Sequence, residues 1–128
     1  MAYVNTNILS LVIRSTLKEG NNPQRIIIQT YNYNLSTNEE MTLNQILEIK
    51  GLNKQNVEDT IISQVELANK EVENLKHLGY NVYTRDLTSN IYKIENTDNY
   101  MLGPDNKLYI IYPYGNANFT DEMDVIVF

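Results

Sequence analysis

The sequence predicts an α+β domain, an antiparallel sheet of about five strands packed by two helices, in the order β-β-α-α-β-β-β. Three observations carry this expectation. Residues 7–18 and 25–35 alternate apolar and polar positions, are rich in β-branched residues, and flank a loop, Glu19-Gly20-Asn21-Asn22-Pro23. A capping box follows, Thr42-Leu43-Asn44-Gln45, and after it a long run with apolar residues at spacings of three and four. The closing stretch, Asn99 to Phe128, holds two apolar runs split by Gly103-Pro104-Asp105-Asn106 and ends on Val125-Ile126-Val127-Phe128.

In the first strand the apolar set is Ile8, Leu9, Leu11, Val12, Ile13 and Leu17, with no helix cap ahead of it. The second strand puts Ile26, Ile28, Thr30 and Asn32 on one face and Ile27, Gln29, Tyr31 and Tyr33 on the other. Apolar groups on both faces predict a central strand, and the two strands should pair as an antiparallel hairpin. Residues 36–40 form a polar turn. Met41 then stands in front of the Thr42/Gln45 box as a hydrophobic staple, and a short helix carries Ile46, Leu47 and Ile49 to a stop at Gly51. Asn53 or Asn56 caps a second helix that runs to about Leu78, where Gly79 ends it. Its stripe is Val57, Ile61, Val65, Ala68, Val72 and Leu75, with Glu66, Lys70, Glu71, Glu73 and Lys76 outside. Residues 81–85 and 91–95 read as short strands, with a turn at 86–90. The closing hairpin and terminal strand complete the sheet.

Composition bounds the rest. The chain has 128 residues, 42% of them apolar, which suits one domain spanning residues 1–128. Ten tyrosines against two phenylalanines and no tryptophan suit thin sheets with half-exposed faces, or a binding surface. A net charge of −6 argues against nucleic acid and anionic membranes and suits a cationic partner. There is no cysteine, hence no disulfide or thiolate metal site. No basic-then-apolar leader and no run of about 18 apolar residues occurs, so no segment is expected to insert in a membrane.

No catalytic constellation stands out. His77 is the only histidine and falls at the end of the long helix, without a nearby serine or aspartate pattern. Asp121, Glu122 and Asp124 are the densest acidic patch, but they lack the ligand ladder and glycine of a calcium loop and read as a solvated loop. The five glycines stand singly and build no phosphate loop. No catalytic residue, no cofactor and no metal site is therefore assigned. The loops are the better candidates. Residues 87–90 and 112–118 are rich in Tyr and Asn and tethered to strands, which suits recognition.

The order of residues resembles the extracytoplasmic C-terminal domain shared by RsiV-type anti-sigma factors, which sense lysozyme, and PdaC-type peptidoglycan deacetylases. Three places carry the resemblance: Ile8-Leu9-Ser10-Leu11; Thr30-Tyr31-Asn32-Tyr33-Asn34-Leu35 followed by Met41-Thr42-Leu43-Asn44-Gln45-Ile46-Leu47; and Asn99-Tyr100-Met101-Leu102, then Leu108-Tyr109-Ile110-Ile111-Tyr112-Pro113-Tyr114, then Met123-Asp124-Val125-Ile126-Val127. The resemblance implies a piece of a larger envelope protein, extracytoplasmic and anchored through its parent. It implies a non-enzymatic sensor or ligand-binding domain, or else an accessory domain that positions a separate peptidoglycan-modifying catalytic domain. The implied partner is a protein, such as a cationic muramidase of the lysozyme kind, or peptidoglycan itself. A homodimer through an exposed edge strand is also open. The partner-binding residues are expected on the loop of the closing stretch: Tyr112, Tyr114, Asn116, Asn118 and Phe119.

Overall fold

A computed structural model describes all residues, Met1–Phe128. The fold is α+β, with two helices and antiparallel strands, as the sequence predicts. The strands form two sheets rather than one. Strands β1 (Ala2–Asn5), β2 (Ile8–Leu17), β3 (Arg25–Asn34) and β4 (Glu39–Glu40) make the first sheet in that order. Strands β5 (Asn99–Leu102), β6 (Leu108–Pro113) and β7 (Met123–Val127) make the second. The β2–β3 hairpin pairs over its full length, from Ile8 opposite Asn34 to Leu17 opposite Arg25.

Both helices start and stop where the sequence says. Helix α1 (Leu43–Lys50) opens on a complete Thr42/Gln45 capping box, with the Gln45 amide donating to Thr42 Oγ1 at 3.2 Å and the Thr42 amide to Gln45 Oε1 at 2.8 Å. Gly51, at φ 67°, closes it in the left-handed region. Helix α2 (Lys54–His77) is capped by Asn53, and Gly79 follows it. Its Val57, Ile61, Val65 and Val72 are buried. No helix is long and apolar enough to cross a membrane.

Period-two alternation in β6 explains the layers. Leu108, Ile110 and Tyr112 point to the helices and join Leu43, Ile46, Leu47, Val57, Ile61 and Val65 in the main core. Ile111 points the other way, onto Val12 and Ile28 of the first sheet, with Met101 and Met123 beside it. Thus β6 is covered on both faces and lies in the middle layer.

Two predicted strands are absent. Residues 91–95 bury Tyr92 and Ile94 alternately, as a strand would, but their backbone closes two 3₁₀ turns, Asn90–Tyr92 and Ile94–Asn96. Residues 81–85 form no ladder because side chains satisfy their backbone. The Tyr83 amide donates to Glu122 Oε2 at 2.7 Å, and Asn69 takes both polar groups of Arg85 at 2.9 Å each. Two strands escape the sequence reading. Strand β1 turns into β2 through Thr6, at φ 53°, a β-branched residue where hairpin turns usually show Gly or Asn. Strand β4 is only two residues long, inside the predicted polar turn.

Side chains of the first sheet stand in for a neighbour to β5. The Leu102 amide donates to Ser10 Oγ at 3.1 Å, the Tyr100 amide to Thr30 Oγ1 at 3.0 Å, and Asn32 Nδ2 donates to the Tyr100 carbonyl at 2.8 Å. Ser10 is fully buried and also donates to Asn32 Oδ1 at 2.6 Å. Ser10→Ala should therefore strand the Leu102 amide and cost about 1–3 kcal/mol in urea unfolding, far more than removing an exposed hydroxyl. A loss under 0.5 kcal/mol would mean that this bridge does not tie the sheets together.

Candidate functional site

The predicted partner loop follows β6. The structure gives most of its residues internal work. Tyr112 and Tyr114 are each only 5% exposed. The Tyr112 ring meets Tyr92 edge-on at 4.9 Å, and its hydroxyl lies 2.9 Å from that of Thr97, whose own hydrogen is directed at the Ile91 and Lys93 carbonyls. Tyr114 donates to Asp124 Oδ2 at 2.6 Å, so the Tyr92 hydroxyl, 2.8 Å away, donates to it in turn. Asn116 accepts from the Ile28 amide at 3.0 Å and donates to the Ile28 carbonyl at 2.9 Å, copying the two bonds of a neighbouring strand. Gly115 allows that approach, since a Cβ there would sit 2.2 Å from the Ile26 carbonyl oxygen. Asn118 Nδ2 donates to the Tyr83 hydroxyl at 3.3 Å. Phe119 is exposed and lies beneath the Arg25 guanidinium, 5.5 Å from its ring centre.

Under this loop sits a residue that the sequence reading missed. Arg85 is buried and its guanidinium engages four of its five N–H groups. Nε and Nη2 donate to Asp124 at 3.1 Å each, and Nη1 donates to Glu122 at 2.8 Å and to the Tyr83 carbonyl at 2.7 Å. The Tyr114 ring covers it at 4.9 Å. Burial pulls against the charge, but the hydrogen bonds to Asp124 and Glu122 outweigh it and hold Arg85 above its ordinary range. Glu122 and Asp124 are therefore not a solvated acidic loop; they are half-buried counter-ions. The signal was available as two carboxylates two residues apart, hence on one face of a terminal strand, with a lone arginine in Val82-Tyr83-Thr84-Arg85.

Above the cluster lies a cleft of about 290 Å³ between residues 89–99 and 111–118. Ile91, Ile111 and Pro113 give it apolar walls, and Asn96, Asp98, Asn99, Asn116 and Asn118 give it polar ones. Four of the five predicted residues, Tyr112, Tyr114, Asn116 and Asn118, line it; Phe119 does not. Asn99 is the residue with capacity to spare. It is only 7% exposed, its backbone pairs in β5, and its side chain has one bond, Oδ1 accepting from Thr30 at 3.5 Å. Its amide nitrogen makes none, at the wall of an open cleft. The volume is at the small end for ligand sites, with room for one ring-sized group or side chain. Asp86, just ahead of the predicted recognition loop at 87–90, spends its carboxylate on the Thr88 hydroxyl and amide, which lower its pKa. His77 is exposed in the last turn of α2. No group of three or more His, Cys, Asp or Glu residues lies close enough together to hold a metal ion.

No protein-family model, no curated protein and no solved structure matches the chain.

Burial raises the pKa values of Tyr92, Tyr112 and Tyr114, and for Tyr114 the bond to Asp124 adds to it. A folded pKa above the unfolded value near 10 gives stability that is complete below pH 10 and drains away above it. Urea unfolding between pH 8 and 11.5 should show a plateau, then a fall of up to about 1.4 kcal/mol per pH unit for each tyrosine. A flat profile to pH 11.5 would place these hydroxyls in water. Replacing both Tyr114 and Asn116 by alanine, an obvious probe of the loop, should lower stability by about 4 kcal/mol or more, since it empties a core site and strands Ile28.

Proposed function

We propose that the chain is a non-enzymatic, extracytoplasmic ligand-binding domain of a cell-envelope protein, a sensor that takes a protein partner at the Asn99 cleft. One observation carries the reading: the carboxamide of Asn99, mostly buried and with an unused donor, opens into a small cleft with room for one partner side chain, between apolar and polar walls. The unused donor keeps its access to solvent through the cleft, so a ligand carbonyl or hydroxyl can take the place of water on it. The titratable groups beneath the cleft are committed to each other. Arg85 holds Glu122 and Asp124, and Asp124 holds Tyr114, which leaves none of them free as an acid or base. The envelope setting comes from the resemblance of the closing strands, and the net charge of −6 suits a cationic muramidase of the lysozyme kind.

Calorimetry with lysozyme tests this. Binding is expected at about 20 mM salt and should weaken at 150 mM, where the screening length falls to about 8 Å. Ile91→Asn leaves the net charge unchanged, puts a polar group on an exposed apolar wall residue, and should weaken binding about tenfold, near 1.4 kcal/mol, without unfolding the chain. No binding at low salt removes the lysozyme partner, and binding untouched by Ile91→Asn removes the cleft. Retention of glycan strands instead would support the accessory-domain reading.

A further inference from the structure

The lining of the Asn99 cleft holds one charged residue, Asp98, and no basic one. The Asp98 carboxylate is exposed, and no lysine, arginine or histidine pairs with it. Its backbone is fixed by Thr30, whose Oγ1 lies 3.4 Å from the Asp98 carbonyl oxygen and accepts from the Tyr100 amide at 3.0 Å. The cluster beneath adds to the field of this carboxylate. There one guanidinium, Arg85, faces two carboxylates, Glu122 and Asp124, which leaves one negative charge in excess. Lys93, the basic residue of the neighbouring segment, belongs to a different cleft and lies 4.0 Å from Glu58.

The neutral groups of the lining have capacity to spare as well. Asn96 Nδ2 donates to the Asn90 carbonyl at 3.0 Å and Asn118 Nδ2 to the Tyr83 hydroxyl at 3.3 Å, and neither side-chain oxygen is used. Asn99 is the opposite case, a residue 7% exposed whose Nδ2 has no acceptor. The cleft therefore offers a carboxylate and two amide oxygens to a donor, and one amide N–H to an acceptor. Ile91, Ile111 and Pro113 add apolar wall for a hydrocarbon stem.

We infer that the cleft takes a basic side chain, arginine or lysine, from a protein partner, with the cation at Asp98 and a carbonyl of the same peptide on Asn99 Nδ2. This placement rests on the cleft being the partner site. Guanidinium and ammonium groups carry donors and no acceptor, which matches a carboxylate flanked by unused amide oxygens. Their long stems lie along apolar wall while the charged end stays at the polar one. An acidic side chain would meet Asp98 and the excess charge below it. An apolar side chain would cover Asp98 and strip its water without giving it a partner. The net charge of −6 favours a cationic partner over the whole surface, and the cleft fixes where one of that partner's cations enters.

NMR titration of the isotope-labelled chain, read at the Asn99 side-chain amide, tests this with two pairs of small probes at about 20 mM salt. Nα-acetyl-arginine amide is matched by its neutral citrulline counterpart, and Nα-acetyl-lysine amide by its Nε-acetylated form. The cationic member of at least one pair should shift the Asn99 signal, with half-saturation on the order of 1–10 mM for ligands of this size. It should bind about fivefold more tightly than its neutral counterpart, or better. Asp98→Asn should erase that preference and leave the urea midpoint unchanged, because the side chain is exposed and unpaired. Raising salt to about 300 mM should shrink the preference in the wild type. If the neutral probes shift Asn99 as strongly as the cationic ones, the basic side chain is wrong and the cleft remains the site. A preference that survives Asp98→Asn also overturns the placement, by putting the cation elsewhere. If no probe moves the Asn99 signal at about 50 mM, the basic side chain and the cleft are both wrong.

Discussion

The buried guanidinium of Arg85 is the interaction on which the rest of the structure depends. A buried cation is tolerable only when its hydrogen bonds are met, and here Asp124, Glu122 and the Tyr83 carbonyl meet them. The consequences spread in three directions. Asp124 and Glu122 tie the start of β7 to the segment after α2. Asn69 clamps the Arg85 backbone to the helix itself. Tyr114, laid over the guanidinium and bonded to Asp124, fixes where β6 turns. Removing Arg85 would leave two half-buried carboxylates facing each other. The cost of such a break, about 3–5 kcal/mol for a buried pair, is a large part of a small domain's stability.

A second constraint is the joining of two sheets. The break in the ladder between the sheets would by itself leave β3 and β5 with bare edges. Instead, polar side chains supply the missing partners: Ser10, Thr30 and Asn32 to β5, and Asn116 to β3. The Ile26 amide reaches the Thr120 carbonyl and the Met41 amide reaches the Asn32 carbonyl, so the β3 edge is sealed along most of its length. These residues are short and polar in a layer that otherwise holds Val12, Ile28 and Ile111. Their polarity is a structural requirement, because each satisfies a backbone group that would otherwise be buried alone.

Both helices were legible because their signals are local. Thr42 and Gln45 cap within four residues, Gly51 and Gly79 stop the chain by their own φ freedom, and the α2 stripe repeats over about five turns. The β2–β3 hairpin was legible for the same reason. What failed was the long-range part. Tyr92 and Ile94 alternate in burial whether the backbone between them makes a ladder or two tight turns, and hydrophobic period cannot separate the two. Tyr112, Tyr114 and Asn116 read as a recognition loop because Tyr and Asn serve binding surfaces and internal polar networks equally well. Deciding between those roles needed Asp124, Thr97 and Ile28, which lie 10, 15 and 88 residues away. Asn99 carried no signal at all, since an unused amide is visible only once its surroundings are in place.

The cleft is walled by the second sheet and by the segment that leads into it. Ile111 and Pro113 of β6, with Asn116 and Asn118 beyond it, face Ser89, Ile91, Asn96 and Asp98, and Asn99 stands at the start of β5. Two 3₁₀ turns between residues 90 and 96 shape the leading segment. Thr97 holds them by donating back to the Ile91 and Lys93 carbonyls, and Asn96 Nδ2 donates to the Asn90 carbonyl. Had residues 91–95 paired as a strand, they would stand about 4.8 Å from a neighbour and leave no space beside it. Asn116 links the site to the seam between the sheets, because it lines the cleft and also bonds both backbone polar groups of Ile28. A change at Asn116 therefore alters the site and the joint between the sheets together.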